Sequence, residues 1–383
     1  MKLSDISRLE SGHTPSRRKS EYWDGDIPWV GIKDATGNHG RTIKSTLQSV
    51  TESGIANSSA RILPAGTVCL SRTASVGYVV TMGVPMATSQ DFVNWVCGSG
   101  ISPKYLHYIL VSEQESVRRF AHGTTHQTVY YPEAKAFHVC IPGRAEQEAI
   151  VGVLGALDDK IAVNERIAAA ADSLRTAHYQ GAVTSMTEEF SEQPLSDSAE
   201  FINGRAFTKN ASGSGRMVIR IAEINSGPGA STVYNDIDVP GKHLARPGDL
   251  LFAWSGSLVA ARWYRPEGII NQHIFKVVPK RDFAVWLIAE LVQRKLADFR
   301  AIAADKATTM GHIQRKHLDE PVATPSVAMA QKLDAQLSPL WDRALAAEQE
   351  SLTLATLRDI LLPQLMSGKL RVRDAERIVE DAV

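Results

Sequence analysis

Two stretches decide the fold: IVGVLGALDDKIAVNERIAAAADSLRTAH, residues 150–178, and LDAQLSPLWDRALAAEQESLTLATLRDIL, residues 333–361. Alternating steps of four and three from Ile150 land on Leu154, Leu157, Ile161, Asn164, Ala168, Ala171, Arg175 and His178. The same steps from Leu333 land on Leu337, Leu340, Ala344, Ala347, Ser351, Leu354, Arg358 and Leu361. This is the heptad seam of a coiled coil, whose a and d side chains fill holes on a facing helix. The natural partner of each seam is the other, and the folded segment between them implies antiparallel packing. Ala168, Ala169, Ala170 and Ala171 allow close approach. Asn164 has two readings of similar weight: a polar seam residue that fixes register, or a solvated residue where the seam frays.

The chain also repeats outside the helices. Leu3-Ser4-Asp5 followed by Gly12 returns as Leu195-Ser196-Asp197 followed by Gly204, and Pro64-Ala65-Gly66-Thr67 returns as Arg246-Pro247-Gly248-Asp249. Gln90 maps on Gln272, Thr124-Thr125 before Val129 on Thr308-Thr309 before Ile313, and Ile141-Pro142 on Thr324-Pro325. Each match is weak alone, but the order is shared. A strand-rich segment followed by a long helix therefore occurs twice, and two related, non-identical surfaces are expected.

Short strands between Gly, Pro, Asn and Ser clusters are expected at Ile27–Ile32, Gly66–Ser71, Tyr78–Thr81 and Phe92–Val96 in the first copy. In the second they are expected at Val218–Ile224, Asp249–Trp254 and Ile274–Val278. Helical spacing marks Pro103–Arg119, with Tyr105, Ile109 and Val117 on one side, and Phe283–Phe299. The fold class is α+β. The expected division is a first domain at 1–143, a central helix at 144–189, a second domain at 190–326, a C-terminal helix at 327–366 and a tail at 367–383.

At 383 residues the chain can bury two cores of ordinary size. Its 42 Lys+Arg balance 42 Asp+Glu, so no global basic field drives nucleic-acid binding and any such contact is local. Cys69, Cys97 and Cys140 lack paired metal-ligand spacing and read as reduced, buried thiols of a cytoplasmic protein. With no signal peptide and no apolar run near 18 residues, neither secretion nor membrane insertion is expected.

No enzyme site emerges. There is no G-x-G-x-x-G after a strand, no Walker lysine (Gly241-Lys242 lacks the flanking residues) and no Asn/Asp-Pro-Pro-aromatic motif. His122 and His126 flank Gly123-Thr124-Thr125, which favours a loop over a metal-binding face, so no metal site is expected. Asp158-Asp159 are adjacent on a helix, about 100° apart, and read as solvated charge rather than a paired-carboxylate site.

Loops with nucleic-acid chemistry recur in both copies. Thr14, Ser16, Arg17, Arg18 and Lys19 precede Tyr22-Trp23, and cations and hydroxyls of this kind suit phosphates. A solvated charged loop is the competing account, and without further context the favoured one. Arg72 and Ser75 lie at a strand end whose counterpart carries Trp254, Ser255 and Ser257. There an arginine either pairs bidentately with guanine or forms an ion pair inside the domain. Gln90 stands beside Asp91, and Gln272 beside His273; adenine readout and a capped turn have similar weight. Thr124, Thr125 and Gln127 answer to Thr308, Thr309 and His312 as hydroxyl-rich loops. Lys33, Arg205, Lys209 and Arg220 complete the candidate contacts. The candidate seam is Ile150, Leu154, Leu157, Ile161, Leu333, Leu337, Leu340, Leu354 and Leu361.

These residues resemble a known family. Leu361-Leu362-Pro363-Gln364-Leu365-Met366-Ser367-Gly368-Lys369-Leu370-Arg371-Val372 is similar to the characteristic ending of the specificity subunits of type I restriction-modification systems. The opening Leu3–Gly12 with Thr14-Pro15, Trp29-Val30-Gly31-Ile32-Lys33-Asp34, and Ala145-Glu146-Gln147-Glu148-Ala149-Ile150 resemble it too. Ala328-Met329-Ala330-Gln331 departs from the family's Glu-Gln helix start, and residues 373–383 run past the usual end.

The resemblance implies two target-recognition domains separated by the two antiparallel coiled-coil helices, pseudo-twofold and pseudo-circular. It implies a non-catalytic subunit that reads a bipartite double-stranded DNA target, one half-site per domain. Its partners would be two methyltransferase subunits, which bind S-adenosylmethionine, and restriction subunits, which use ATP and Mg; this chain would bind no cofactor. The tail would pack near the N-terminus, with Gly368–Val372 pairing to the first residues. Helices of about 35 residues, ~50 Å long, would act as a ruler for the gap between half-sites. A stand-alone DNA-binding or coiled-coil scaffold protein is the second class.

Overall fold

The computed structural model describes residues 1–123, 127–280, 282–305 and 311–382. It divides into two compact units, one formed by Met1–Asp158 with Thr356–Val383 and the other by Asp159–Ala355.

The first unit runs β1 (Ser7–Ser11), β2 (Trp23–Val30), α1 (Ile32–Gly37), β3 (Arg41–Ile43), β4 (Gln48–Val50), α2 (Glu52–Ala56), β5 (Val68–Ser71), β6 (Val79–Met82), β7 (Ala87–Thr88) and β8 (Phe92–Cys97). It continues with α3 (Pro103–Ser112), α4 (Gln114–Arg119), α5 (Tyr131–Lys135) and the start of α6 (Arg144–Ser185). One sheet has the order β1-β8-β5-β6-β3, and a smaller one β4-β2-β7. β5 and β6 are buried on every residue, Ser71 and Thr81 included, so they show no alternation of buried and exposed positions. Pro103 opens α3 at a position whose N–H has no helical partner, and the helix buries Tyr105, Leu106, Ile109 and Leu110.

The second unit rebuilds the plan. It contains β9 (Phe190–Pro194), α7 (Leu195–Ser198), β10 (Ala199–Asn203), β11 (Arg216–Ile219), α8 (Ile221–Ser226), β12 (Tyr234–Asn235), β13 (Leu244–Ala245) and β14 (Leu250–Ala253). Then follow β15 (Val259–Arg262), β16 (Gly268–Ile270), β17 (Ile274–Pro279), α9 (Val285–Asp305), β18 (Pro321–Pro325) and α10 (Val327–Met366). The sheet β10-β17-β14-β15 answers to β1-β8-β5-β6. The parallel pair β11/β16 answers to the parallel pair β2/β7, and antiparallel β11/β12 to β2/β4. The core gathers Phe252, Trp286, Leu291, Phe299, Leu333 and Leu337.

Within each unit the two long helices pack antiparallel. In the second, Lys160 pairs with Glu350 at 3.2 Å, Ala168 and Ala171 meet Ala344 and Ala347, and Arg175 lies over Trp341. In the first, Arg358 pairs with Asp158 at 2.8 Å. Ile150, Leu154, Leu157, Ile161, Leu333, Leu337, Leu354 and Leu361 are buried, and Leu340 half-buried.

Several expectations are corrected. Asn164 is fully buried, and its amide donates to Glu350 at 2.8 Å, so the solvated reading is set aside. His178 is exposed; Tyr179 takes its place inward and stacks edge-on against Trp286. A helix of 3.6 residues per turn drifts ~20° per heptad from a 3.5 repeat, which moves the buried line by one residue here. Asp158 is not solvated charge, since it accepts from Arg358 and from the Tyr108 hydroxyl at 2.6 Å. Cys140 is exposed, while burial pushes the Cys69 thiol up and raises Cys97 to about 12.

The expected strands Ile27–Ile32 and Val218–Ile224 each stop short and turn into a helix. The reason is a carboxylate in the third helical position: Asp34 accepts from the Gly31 N–H at 2.9 Å and Glu223 from the Arg220 N–H at 3.0 Å, each closing a capping turn. The tail forms α11 (Val372–Ala382) instead of pairing through Gly368–Val372. Val372, Ala375 and Val379 recur at helical spacing, Asp374 favours the first turn, and Ala375 is fully buried. The first residues pair instead with Phe137–Val139: the Leu3 N–H donates to Phe137 O at 2.8 Å and the Val139 N–H to Met1 O at 2.9 Å.

Candidate nucleic-acid interface

Four chain segments meet at one place in each unit. In the first, β1 leads into Gly12, where an added Cβ would lie 2.0 Å from Ser89 O, and only glycine lets the chain pass. Gly204 does the same service after β10, with Asn271 O at 2.1 Å. Past that crossing, Thr14 donates its hydroxyl to the Gln90 side chain, and in the second unit the Gln272 N–H donates to Arg205 O at 2.9 Å.

The turn after the central strand is then pinned identically in both. The Arg72 N–H donates to Asp91 O at 2.8 Å, and the Trp254 N–H to His273 O at 3.1 Å. Val129 N–H donates to Arg72 O at 2.9 Å, and Ile313 N–H to Trp254 O at 3.1 Å. The third bond runs from Ala74 N–H to Gln127 O at 3.0 Å, and from Gly256 N–H to Gly311 O at 2.8 Å. Ala74 and Gly256 share a left-handed backbone, at φ 61° and 65°. A non-glycine residue held there costs about 1 kcal/mol and marks an over-determined turn.

On this common frame the side chains differ. The first junction presents Thr14, Arg72, Gln90 and Gln127. The second presents Arg205, Trp254, Ser255, Gln272, His273 and His312, with the indole of Trp254 5.0 Å from the His273 ring and 6.4 Å from that of His312. Thr14, Arg72 and Trp254 are half-buried, Ser255 is buried, and Gln90, Gln127, Arg205, Gln272, His273 and His312 are exposed. Such mixtures of amides, hydroxyls, a guanidinium and rings suit hydrogen bonding and stacking at base edges and phosphates.

Other expected contacts lie elsewhere or are engaged. The Arg17 guanidinium sits 3.6 Å from the Trp23 ring centre and bonds Gln48 at 2.9 Å; the Lys19 ammonium donates to the Tyr22 hydroxyl at 2.9 Å, which raises its pKa. Ser16 and Arg18 are exposed beside them, and Ser16 O accepts from the Trp23 indole N–H. Arg220 is an internal clamp on the buried Glu223. Burial pushes that carboxyl up, while Arg220 and Thr232 pull it further down, so its net pKa is below the usual range. Lys33 and Lys209 are exposed on α1 and on the loop after β10; Ser257 is exposed and Ser75 half-buried. Thr124, Thr125, Thr308 and Thr309 lie outside the described residues. Asn203, which accepts from the Trp254 indole N–H at 2.9 Å, had no signal in the sequence.

Among the described residues no group of three or more His, Cys, Asp or Glu is placed to hold a metal, and no helix is long and apolar enough to cross a membrane.

Residues 1–171 match the family described as type I restriction modification DNA specificity domain. The chain is 24% identical to the type I restriction enzyme MjaIX specificity subunit of Methanocaldococcus jannaschii, over 97% of this chain and 93% of that one. It is 29% identical to the EcoR124I/EcoR124II specificity subunit of Escherichia coli over 41% of this chain and 40% of the other. The crystal structure of the S subunit of a type I restriction-modification system from M. genitalium shares the fold, with a TM-score of 0.57 at 14% identity over 95% of both chains. With the family match over residues 1–171, a relative along nearly its whole length and a shared fold, the chain is similar to the specificity subunits of type I restriction-modification systems.

Proposed function

We propose that this chain reads a bipartite double-stranded DNA target, one half-site through the junction around Arg72 and the other through the junction around Trp254. It acts in the cytoplasm as a non-catalytic subunit and recruits two methyltransferase subunits and, in the cleaving complex, restriction subunits. S-adenosylmethionine belongs to the methyltransferase partner, ATP and Mg to the restriction partner.

The observation that supports this is the junction built twice: three equivalent backbone hydrogen bonds hold the same turn in both units while the side chains on it differ. A scaffold needs no such repeated, chemically divergent surface; a reader of two different half-sites does. The test is co-expression with the neighbouring methyltransferase gene in a host lacking other modification, followed by sequencing for methyladenine. The expected result is a two-part motif of which only one part changes when residues 1–142 are exchanged for those of a relative. No co-purifying partner and no modified adenine would sink the proposal.

A further inference from the structure

Arg72 and Trp254 occupy the same point on the two junctions with opposite chemistry. Their backbones are pinned by equivalent bonds, to Asp91 and Val129 in one unit and to His273 and Ile313 in the other. The side chains therefore leave the turn from matching places.

The Arg72 guanidinium spends one donor internally: its Nε–H reaches Gln90 O at 3.0 Å, which fixes the plane of the group. Among the described residues its two Nη atoms make no hydrogen bond, and no carboxylate lies within 4.0 Å of it. Arginines that hold the fold are different, as Arg61 shows with Glu10 at 2.8 Å and Arg262 with Glu348 at 2.8 Å. An arginine that is half-buried as a residue, with its Nε–H anchored and its terminal pair unspent, is a preorganised bidentate donor. That geometry matches the O6 and N7 acceptors of guanine in the major groove.

Trp254 has the reverse endowment. An indole carries one donor, and that N–H is used by Asn203 at 2.9 Å. Its ring packs against Phe275 and His273, with centroids 5.8 Å and 5.0 Å away. What remains for a ligand is an apolar surface, which suits a thymine methyl group and offers nothing to guanine acceptors.

We propose that Arg72 reads a guanine in the half-site of the first unit, and that Trp254, at the matching position, makes an apolar thymine contact in the other. The inference rests on the bipartite reading proposed above. It makes the two half-sites differ in kind at one equivalent position.

The test uses the full chain in complex with its methyltransferase partner. Adenine-methylation motifs are determined for the parent and for R72K, which keeps the charge and loses the planar fork. The expected outcome is an unchanged second half-site and a first half-site that loses strictness at one guanine, with discrimination falling on the order of tenfold to a hundredfold. Binding of the parent complex to duplexes carrying 7-deazaguanine at one guanine at a time is the second measurement, and it does not depend on a variant folding. Binding should fall at a single first-half guanine for the parent and at none for R72K. A first half-site without guanine, or one where N7 removal and R72K both leave recognition intact, overturns the inference while the bipartite reading stands. A parent complex that yields no two-part motif overturns both.

Discussion

Removing Glu290 should destabilise the second unit far more than removing Glu290 together with Arg175. The two side chains are 2% and 8% exposed, Arg175 Nε donates to Glu290 Oε1 at 2.8 Å, and the Thr176 hydroxyl donates to the same oxygen at 2.9 Å. In Glu290→Met the guanidinium stays buried with the partly exposed Asp172 as its remaining ion-pair partner, and in Arg175→Met the Glu290 carboxylate stays buried with no cation among the described residues paired to it. Losing one member of a buried pair costs about 3–5 kcal/mol, and the remaining Asp172 places this case near 3. Replacing both by methionine restores apolar volume against Trp341 with no orphaned charge, so the double variant should lie within about 1 kcal/mol of the parent. Two single losses near 3 and a double near 1 give a coupling of about 5 kcal/mol. Urea unfolding followed by tryptophan fluorescence reads it, because Arg175 lies 5.1 Å from the Trp341 ring. Single variants that each cost under about 1 kcal/mol, or a double equal to their sum, would refute the reasoning.

Three further outcomes follow. His107 is buried against Thr81, and burial lowers its pKa to about 4, with Lys104 and His39 adding to the fall and the Gly40 carbonyl and Asp158 opposing it. The unfolded chain binds that proton near pH 6.5 and the folded one does not, so stability of the first unit should drop as pH falls from 6.5 towards 4, at up to ~1.4 kcal/mol per pH unit; His107→Gln should flatten that slope. Gly204→Ala places a Cβ 2.1 Å from Asn271 O and should cost the second unit several °C in thermal melting, whereas Gly213→Ala, with no atom within 4 Å, meets only a backbone penalty near 1 kcal/mol. On the proposed function, deleting one heptad from each long helix should change the gap tolerated between half-sites, read from the methylation motif, and an unchanged gap counts against the ruler.

The buried lines of α6 and α10 were legible because burial on a helix repeats every three to four residues, and Leu154, Leu157, Leu337 and Leu354 declare it. The doubling was legible because the glycines and turns that topology demands recur at shared offsets; Gly12 and Gly204 are examples, though their purpose was not visible. The turns Gly31–Asp34 and Arg220–Glu223 were misread as strand, because their carboxylates act through backbone N–H groups that no apolar pattern encodes. The candidate contacts were half legible. Arg72 meets Gln90 in the first unit and Trp254 meets His273, beside Gln272, in the second, yet Arg17, Lys19 and Arg220, chosen for charge alone, are engaged by neighbours within their own units.

The sequence by itself therefore determined the class of the fold, its repetition and the family it resembles, since each depends on periodicity and order along the chain. Which side chains stand together on one junction, which arginine keeps its terminal donors and which is clamped, and where the tail turns helical were decided by tertiary structure. Those depend on who is within about 3 Å, and residues as distant in sequence as Arg175 and Glu290, or Arg72 and Val129, become neighbours only when the chain closes.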